Sequence, residues 1–145
     1  VKGPQHKKKR LRGLQAEGMK YQRAVQRYLK RELTRLEVKG KFRCDKWLAF
    51  LDANLSGYAQ PDCWFETVDV VFCFEIKRSA TPAAWSQLEL LYRPLLKMLF
   101  NKPVVTIQVC KFLRLKHPTS TLSDILHHAS AERFLIHWNP DIDRD

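Results

Sequence analysis

The chain has 145 residues, 45% of them hydrophobic and 28% charged, a balance typical of one folded domain. Only 5 glycines and 7 prolines occur, which argues against disordered, collagen-like and low-complexity classes. No apolar run approaches the roughly 20 residues of a membrane span, and the basic N-terminus lacks a signal-peptide core. We therefore expect an intracellular protein, in the cytoplasm or nucleoid or in the nucleus, that is not secreted and has no membrane partner.

Positive charge is concentrated in the first third of the chain. The formal net charge is +11; residues 1–46 hold 16 Lys/Arg against 4 Asp/Glu, whereas residues 47–145 hold 10 against 11. Such an excess is typical of proteins that bind a phosphate backbone, because each neutralised phosphate releases counterions. A nuclear-localisation tract, binding to an acidic membrane surface or simple solubility would also account for the excess. The residues expected to bind nucleic acid are Lys7, Lys8, Lys9, Arg10, Arg12, Lys20, Arg23 and Arg27.

The N-terminal half predicts an arm, a helix and three strands. Residues 1–14 lack apolar periodicity and predict a flexible basic arm, whereas residues 15–145 predict a single domain. Helical apolar spacing predicts an amphipathic helix over 16–37 with a basic outer face. Aliphatic and aromatic runs predict strands at 42–51, 58–65 and 68–77, of which the last has the strongest pattern.

The C-terminal half predicts a helix, a strand, and a further helix and strand. Thr81-Pro82 is a helix cap followed by proline at the first helical position, and it predicts a helix to about residue 100 that Pro94 bends. A strand is predicted at 104–113, a short helix at 121–130 and an edge strand at 134–138. The order α-β-β-β-α-β predicts an α/β fold with a mixed central sheet flanked by helices.

The four cysteines, Cys44, Cys63, Cys73 and Cys110, show no CxxC pairing. Three of them lie in apolar β-like runs, where cysteine usually behaves as a small buried hydrophobe. We expect them to be reduced and structural.

Glu75-Ile76-Lys77 lies within the strongest predicted strand. Because strand side chains alternate, Glu75 and Lys77 share one face and Ile76 points to the other. Pro61-Asp62 lies in the preceding strand, and an antiparallel hairpin would bring the Asp62 carboxylate beside Glu75. Two adjacent carboxylates repel each other unless a cation joins them, and such hard oxygen ligands suit Mg²⁺ or Mn²⁺. The alternative is an exposed Glu75–Lys77 ion pair and an ordinary turn at Pro61-Asp62.

Pro61-Asp62, a 12-residue spacer and Glu75-Ile76-Lys77 resemble the signature of the PD-(D/E)XK nuclease superfamily, whose shared core is α-β-β-β-α-β. The resemblance covers residues 16–113 and implies a restriction-endonuclease-like fold. It also implies metal-dependent phosphodiester hydrolysis. Asp62, Glu75 and the carbonyl of Ile76 would then be metal ligands, and Lys77 would lie beside the attacking water.

Two further site positions follow from the same resemblance. Many members carry an acid on the first helix: Glu17 and Glu32 lie on or near its apolar side, and Gln22 stands where some resolvase-like members have glutamate. We favour Glu17 as the additional metal ligand. Some members place a catalytic glutamine on the helix after the lysine strand, with a tyrosine four residues on. Gln87 resembles this glutamine, but Tyr92 follows it by five residues.

The sequence therefore predicts a Mg²⁺- or Mn²⁺-dependent nuclease acting on DNA, with RNA as an open alternative. We expect an endonuclease, because a chain of this size has no room for a motor or strand-threading domain. A homodimer is compatible with this interpretation. The rival interpretations are a catalytically silent DNA- or RNA-binding module with the same fold and a basic RNA-binding protein.

Overall fold

A computed structural model of the chain describes residues 13–51, 56–113, 117–128 and 132–142. Most of the predicted basic arm, with Lys7, Lys8, Lys9, Arg10 and Arg12, lies outside the described residues. The elements in chain order are α1 (Leu14–Arg35), β1 (Lys41–Cys44), β2 (Leu48–Leu51), β3 (Ser56–Ala59), β4 (Cys63–Glu66), β5 (Val71–Ser79), α2 (Pro82–Gln87), a π-helical turn (Leu88–Tyr92), α3 (Arg93–Phe100), β6 (Val104–Phe112), α4 (Leu122–Ile125) and β7 (Arg133–His137).

Five strands form a mixed sheet in the order β1-β4-β5-β6-β7, and β2 pairs with β3 in a separate hairpin. Neighbours from β1 to β5 are antiparallel, whereas β5, β6 and β7 run parallel. The long connection between β5 and β6 carries α2, the π-helical turn and α3, as a parallel crossover requires. The predicted α/β class with a mixed sheet and flanking helices is confirmed.

Helices cover both faces of the sheet. On one face, Val25 and Leu29 of α1 pack in a core cluster with Phe72 and Phe74. On the other face, the segment after β5 buries a cluster that includes Leu88 and Leu96 together with Val71. Strand alternation therefore assigns the odd-numbered residues of β5 to the side of α2 and α3, and the even-numbered ones to the side of α1.

Two predicted strands prove to be four. The run predicted at 42–51 divides into β1 and β2 at Asp45, which has a left-handed φ of 56°. The run predicted at 58–65 divides into β3 and β4 before Cys63, beside Pro61. Local apolar content marks these segments as extended, but it does not show that a hairpin leaves the main sheet between the two breaks.

The predicted cap at Thr81 is confirmed: its hydroxyl accepts from the amide of Ala84 at 3.1 Å. The helix that follows is not one regular α-helix, because a π-helical turn separates α2 from α3. The turn lies directly before Pro94, which has no amide hydrogen for a regular helical bond. Within the described part of the chain, no helix has the length and hydrophobicity that crossing a membrane would require.

Gly40 and Gly18 provide a test of the close packing of the segment before β1 against β4. A Cβ at Gly40 would lie 2.6 Å from the backbone oxygen of Glu66 and 2.6 Å from a ring carbon of Phe65. Gly40→Ala should therefore lower the free energy of unfolding by about 1–3 kcal/mol, measured by urea titration. In the control Gly18→Ala, the added Cβ meets no described atom within 4 Å beyond the helix's own backbone. It should stabilise α1 by about 1 kcal/mol. Equal effects would contradict the close approach at Gly40.

Candidate active site

Asp62 stands at the beginning of β4, where the pairing with β5 ends. The register pairs Cys63 with Phe74, so two residues further on Pro61 lies opposite Ile76. Proline has no amide hydrogen and cannot continue the ladder as a donor. The amide of Ile76 donates to Oδ2 of Asp62, at 2.7 Å, where the pairing of β4 with β5 has ended. A strand end that proline interrupts therefore holds the Asp62 carboxylate against β5.

The same interruption affects the carbonyl of Ile76. In an antiparallel pair, the N–H and C=O of a strand residue point toward the same neighbouring strand. Because the Ile76 amide reaches Asp62, its carbonyl oxygen also faces the β4 side, where Pro61 has no hydrogen to donate. This oxygen is therefore directed toward the gap that Asp62 occupies.

Glu75 is a buried acid, only 3% exposed, and its Oε2 has no hydrogen-bond partner in the described part of the chain. Burial raises the pKa of Glu75 from 4.5 to about 9, and a hydrogen bond and charge repulsion from Asp62 act in the same direction. Lys77 and the hydroxyl of Tyr92 oppose this pKa shift. At neutral pH Glu75 therefore carries a proton beside Asp62. The alternative of an exposed Glu75–Lys77 ion pair is wrong.

Tyr92 belongs to this cluster. Its hydroxyl donates to the backbone oxygen of Gln60 at 3.2 Å and interacts with Glu75. Burial raises the pKa of Tyr92, and the nearby carboxyl groups of Glu75 and Asp62 raise it further, so the hydroxyl stays neutral. The family resemblance places a tyrosine four residues after the glutamine, whereas Tyr92 lies five residues after Gln87.

The π-helical turn accounts for that spacing. The amide of Arg93 bonds to the carbonyl of Leu88, five residues back, so the turn contains one residue more than an α-helical turn. This extra residue rotates Tyr92 toward the sheet and Glu75. Gln87, at the end of α2, is half-buried, and no hydrogen bond joins its side chain to the carboxylates among the described residues.

On α1, a residue that the sequence analysis did not name approaches Asp62. The side-chain amide of Gln26 donates to the backbone oxygen of Asp62 at 3.2 Å and to Asp45 at 3.1 Å. Gln22 donates to the other carboxylate oxygen of Asp45, also at 3.1 Å. Both amides therefore bind Asp45, and Gln26 also reaches the backbone of Asp62. Gln26 follows Gln22 by about one helical turn, and this spacing was the sequence signal that could have identified Gln26. The left-handed backbone of Asp45, whose carboxylate both amides bind, could not be predicted from the sequence.

Glu17, the favoured acid on α1, is not brought to the site. It precedes Gln26 by nine residues, which is two and a half turns, or about 14 Å along the axis, and it therefore faces the opposite side. Its side chain is exposed and forms no ion pair within the described residues. Glu32 pairs with Arg35 at 2.7 Å, and this pairing lowers the pKa of Glu32.

The donor atoms fit a small divalent cation. Among the described residues, no group of three or more His, Cys, Asp or Glu side chains is placed to hold a metal ion. The cluster does contain two carboxyl groups, the unpartnered Oε2 of Glu75 and the inward-facing carbonyl of Ile76. Mg²⁺ prefers oxygen donors and is commonly held by one or two carboxylates together with water and substrate phosphate. Asp62, Glu75 and the Ile76 carbonyl would hold such an ion.

A stripe of exposed cations follows α1, on the side of the sheet opposite the Glu75 side chain. Lys20, Arg23, Arg27 and Lys30 recur every three or four residues and cover about 15 Å of the helix. None of the four pairs with an acid among the described residues. A groove of about 390 Å³ lies between this stripe and β1, and Gln26 forms part of its wall.

No family model matches this chain, and no curated protein and no solved structure matches it either.

The buried acid predicts a pH dependence of stability. Because the pKa of Glu75 is higher in the folded state than its ordinary 4.5, the folded state binds more protons between about pH 4.5 and pH 9. Stability should therefore be highest at the acid end of this range and fall as pH rises, by up to about 1.4 kcal/mol per pH unit. Glu75→Gln should remove this decline, as measured by urea titrations from pH 5 to pH 9. The control Glu17→Gln should retain it; a parent-like decline in Glu75→Gln would exclude the buried acid as its source.

Proposed function

We propose that this chain is a metal-dependent nuclease of the PD-(D/E)XK type, with a restriction-endonuclease-like fold, that hydrolyses DNA phosphodiester bonds as an endonuclease. The order α1, β1, β4, β5, then α2 and α3, then β6 supports this fold assignment, with the β2–β3 hairpin as an insertion. The cofactor is Mg²⁺ or Mn²⁺. DNA is the preferred partner, with RNA as the alternative substrate.

One observation carries the proposal: Glu75 is buried beside Asp62 with an oxygen that has no partner among the described residues. Burying a carboxyl group without full hydrogen bonding lowers stability, and the effect is larger beside a second carboxylate. A purely structural strand would gain stability from an apolar residue at this position. A cation bound between the carboxylates would balance their negative charge and bind the unpartnered oxygen of Glu75. A metal site would therefore account for the acid at this buried position.

Each residue of the cluster would have a separate role in hydrolysis. The bound ion would polarise a phosphoryl oxygen and acidify a water molecule. Glu75 must release its proton before it can act as a ligand, and the Ile76 amide holds Asp62 in position for the same role. Lys77 lies on the face of Glu75, where its ammonium would orient the attacking water and stabilise negative charge on the phosphorus group.

The stripe on α1 supports a nucleic-acid substrate. Its four cations lie beside the helix position at which Gln26 contacts the Asp62 backbone. A phosphate backbone bound along the stripe would therefore pass the start of β4, where Asp62 stands, on the α1 side of the sheet. Lys20, Arg23 and Arg27 were predicted from sequence to contact nucleic acid, and Lys30 extends the same row.

The second candidate is a catalytically silent DNA- or RNA-binding module. It is favoured by Gln22, an amide at the α1 position where some resolvase-like members have glutamate, and by Gln26, also an amide, as the α1 side chain that contacts the Asp62 backbone. Such a module would use the basic stripe and would bind nucleic acid equally well with and without a divalent ion.

Cleavage assays on site variants distinguish these functions. Asp62→Asn and Glu75→Gln should each abolish Mg²⁺-dependent cleavage of plasmid, linear and branched DNA, because each removes a ligand, while DNA binding is retained. Lys77→Ala should still bind Mn²⁺ in a calorimetric titration, because lysine is not a ligand, but its turnover should fall by about 10² or more. The control Glu17→Gln should cut like the parent. Parent-like cleavage by Asp62→Asn would exclude the proposed site.

The contribution of the stripe can be measured separately. Arg23→Ala and Arg27→Ala should each weaken DNA affinity and reduce the slope of log affinity against log salt by about one unit for each phosphate that is no longer neutralised. The control Lys97→Ala removes an exposed cation from α3, on the other face of the sheet. It should leave the slope unchanged. An unchanged slope in the α1 variants would exclude these arginines as phosphate-binding residues.

A further inference from the structure

Two cysteines face each other where β1 pairs with β4. Cys44 and Cys63 are register partners, and their sulfur atoms lie 3.3 Å apart. The amide of Asp45 donates to the carbonyl of Asp62, which makes these two residues the hydrogen-bonded pair. Their neighbours, the two cysteines, therefore form a non-hydrogen-bonded pair, in which Cα atoms approach to about 4.5 Å. Disulfides bridge Cα separations of about 4.4–6.8 Å, so the pair can be joined without moving a strand.

The two thiols differ in access. Cys63 is fully buried, whereas Cys44 is half-buried and lines the groove beside the cationic stripe. Arg23, Arg27 and Lys30 line the same groove. Their positive charge attracts anions to the mouth of the groove, where Cys44 is the accessible thiol.

We propose that Cys44 and Cys63 form a thiol–disulfide exchange site that reacts with anionic low-molecular-weight disulfides and closes to an intramolecular disulfide. The Cys44 thiolate attacks one sulfur of the disulfide, forming a mixed disulfide and releasing one small thiol. The Cys63 sulfur then attacks Cys44, breaks the mixed bond and releases the second small thiol. The protein loses two protons and two electrons, and the small disulfide gains them and becomes two thiols.

The bond would close a loop that contains the whole β2–β3 hairpin, because the two cysteines are 19 positions apart. Such a link restricts the unfolded chain and should raise Tm by several degrees. The site is defined by the two sulfurs and the groove alone, so it does not depend on the proposed nuclease activity.

The test uses the full chain and three small disulfides of different charge. Glutathione disulfide, which is anionic, should convert the parent to a form two hydrogen atoms lighter, and peptide mass spectrometry should find Cys44 joined to Cys63. At low salt it should react about tenfold or more faster than cationic cystamine, with neutral hydroxyethyl disulfide between them. The difference should shrink at high salt, because salt screens exposed charges.

Two variants test the order of attack. Cys63→Ala should stop at a mixed disulfide on Cys44, whereas Cys44→Ser should lack the fast reaction. A parent that stops at the mixed disulfide, or that joins other cysteines, would overturn the proposal, and so would equal rates for the anionic and cationic disulfides. The parent's peptide map and rate order decide the matter even if a variant does not fold.

Discussion

The candidate site depends on the hydrogen bond from the Ile76 amide to the Asp62 carboxylate. A continuous ladder would direct this amide to a backbone carbonyl of β4, and Asp62 would then be one more strand residue. The pairing of β4 with β5 ends before Pro61, which has no hydrogen to donate to the Ile76 carbonyl, and the Ile76 amide bonds to a side chain. One side-chain bond thus replaces a backbone bond, ties β4 to β5, and brings an acid from one strand beside an acid of the next.

This arrangement lowers the stability of the strand that carries it. Glu75 lies in the buried part of β5, yet it is a carboxyl group whose Oε2 has no partner in the part of the chain that the structure describes, and it keeps a proton at neutral pH. The surrounding core tolerates the defect because β5 is packed on both faces, by α1 on one side and by the α2–α3 segment on the other. Groups that weaken the folded state in this way are concentrated at functional sites, where charge chemistry requires them.

Two departures from regular secondary structure bring further polar side chains to the region around Asp62 and Glu75. The π-helical turn brings the hydroxyl of Tyr92 to Glu75, and the left-handed backbone at Asp45 lets Gln22 and Gln26 hold the start of β4 against α1. Gln108, paired with Glu75 across the sheet, accepts from the amide of Thr81 at 2.8 Å and secures the start of α2. The cluster is thus supported from both helical layers.

The sequence by itself determined the features that local chemistry controls. Strand alternation placed Glu75 and Lys77 on one face, Thr81-Pro82 marked the start of a helix, and the basic residues of α1 fell on its outer side. Only the tertiary structure decided which distant groups meet. It selected Gln26 rather than Glu17 beside Asp62, brought Tyr92 in through a π-helical turn, and paired Cys44 with Cys63. The physical reason is that periodicity reports how a residue faces its own element. Contacts between elements depend on strand register, on where a ladder is interrupted and on helix winding, and each of these is set by packing with residues far away in the chain.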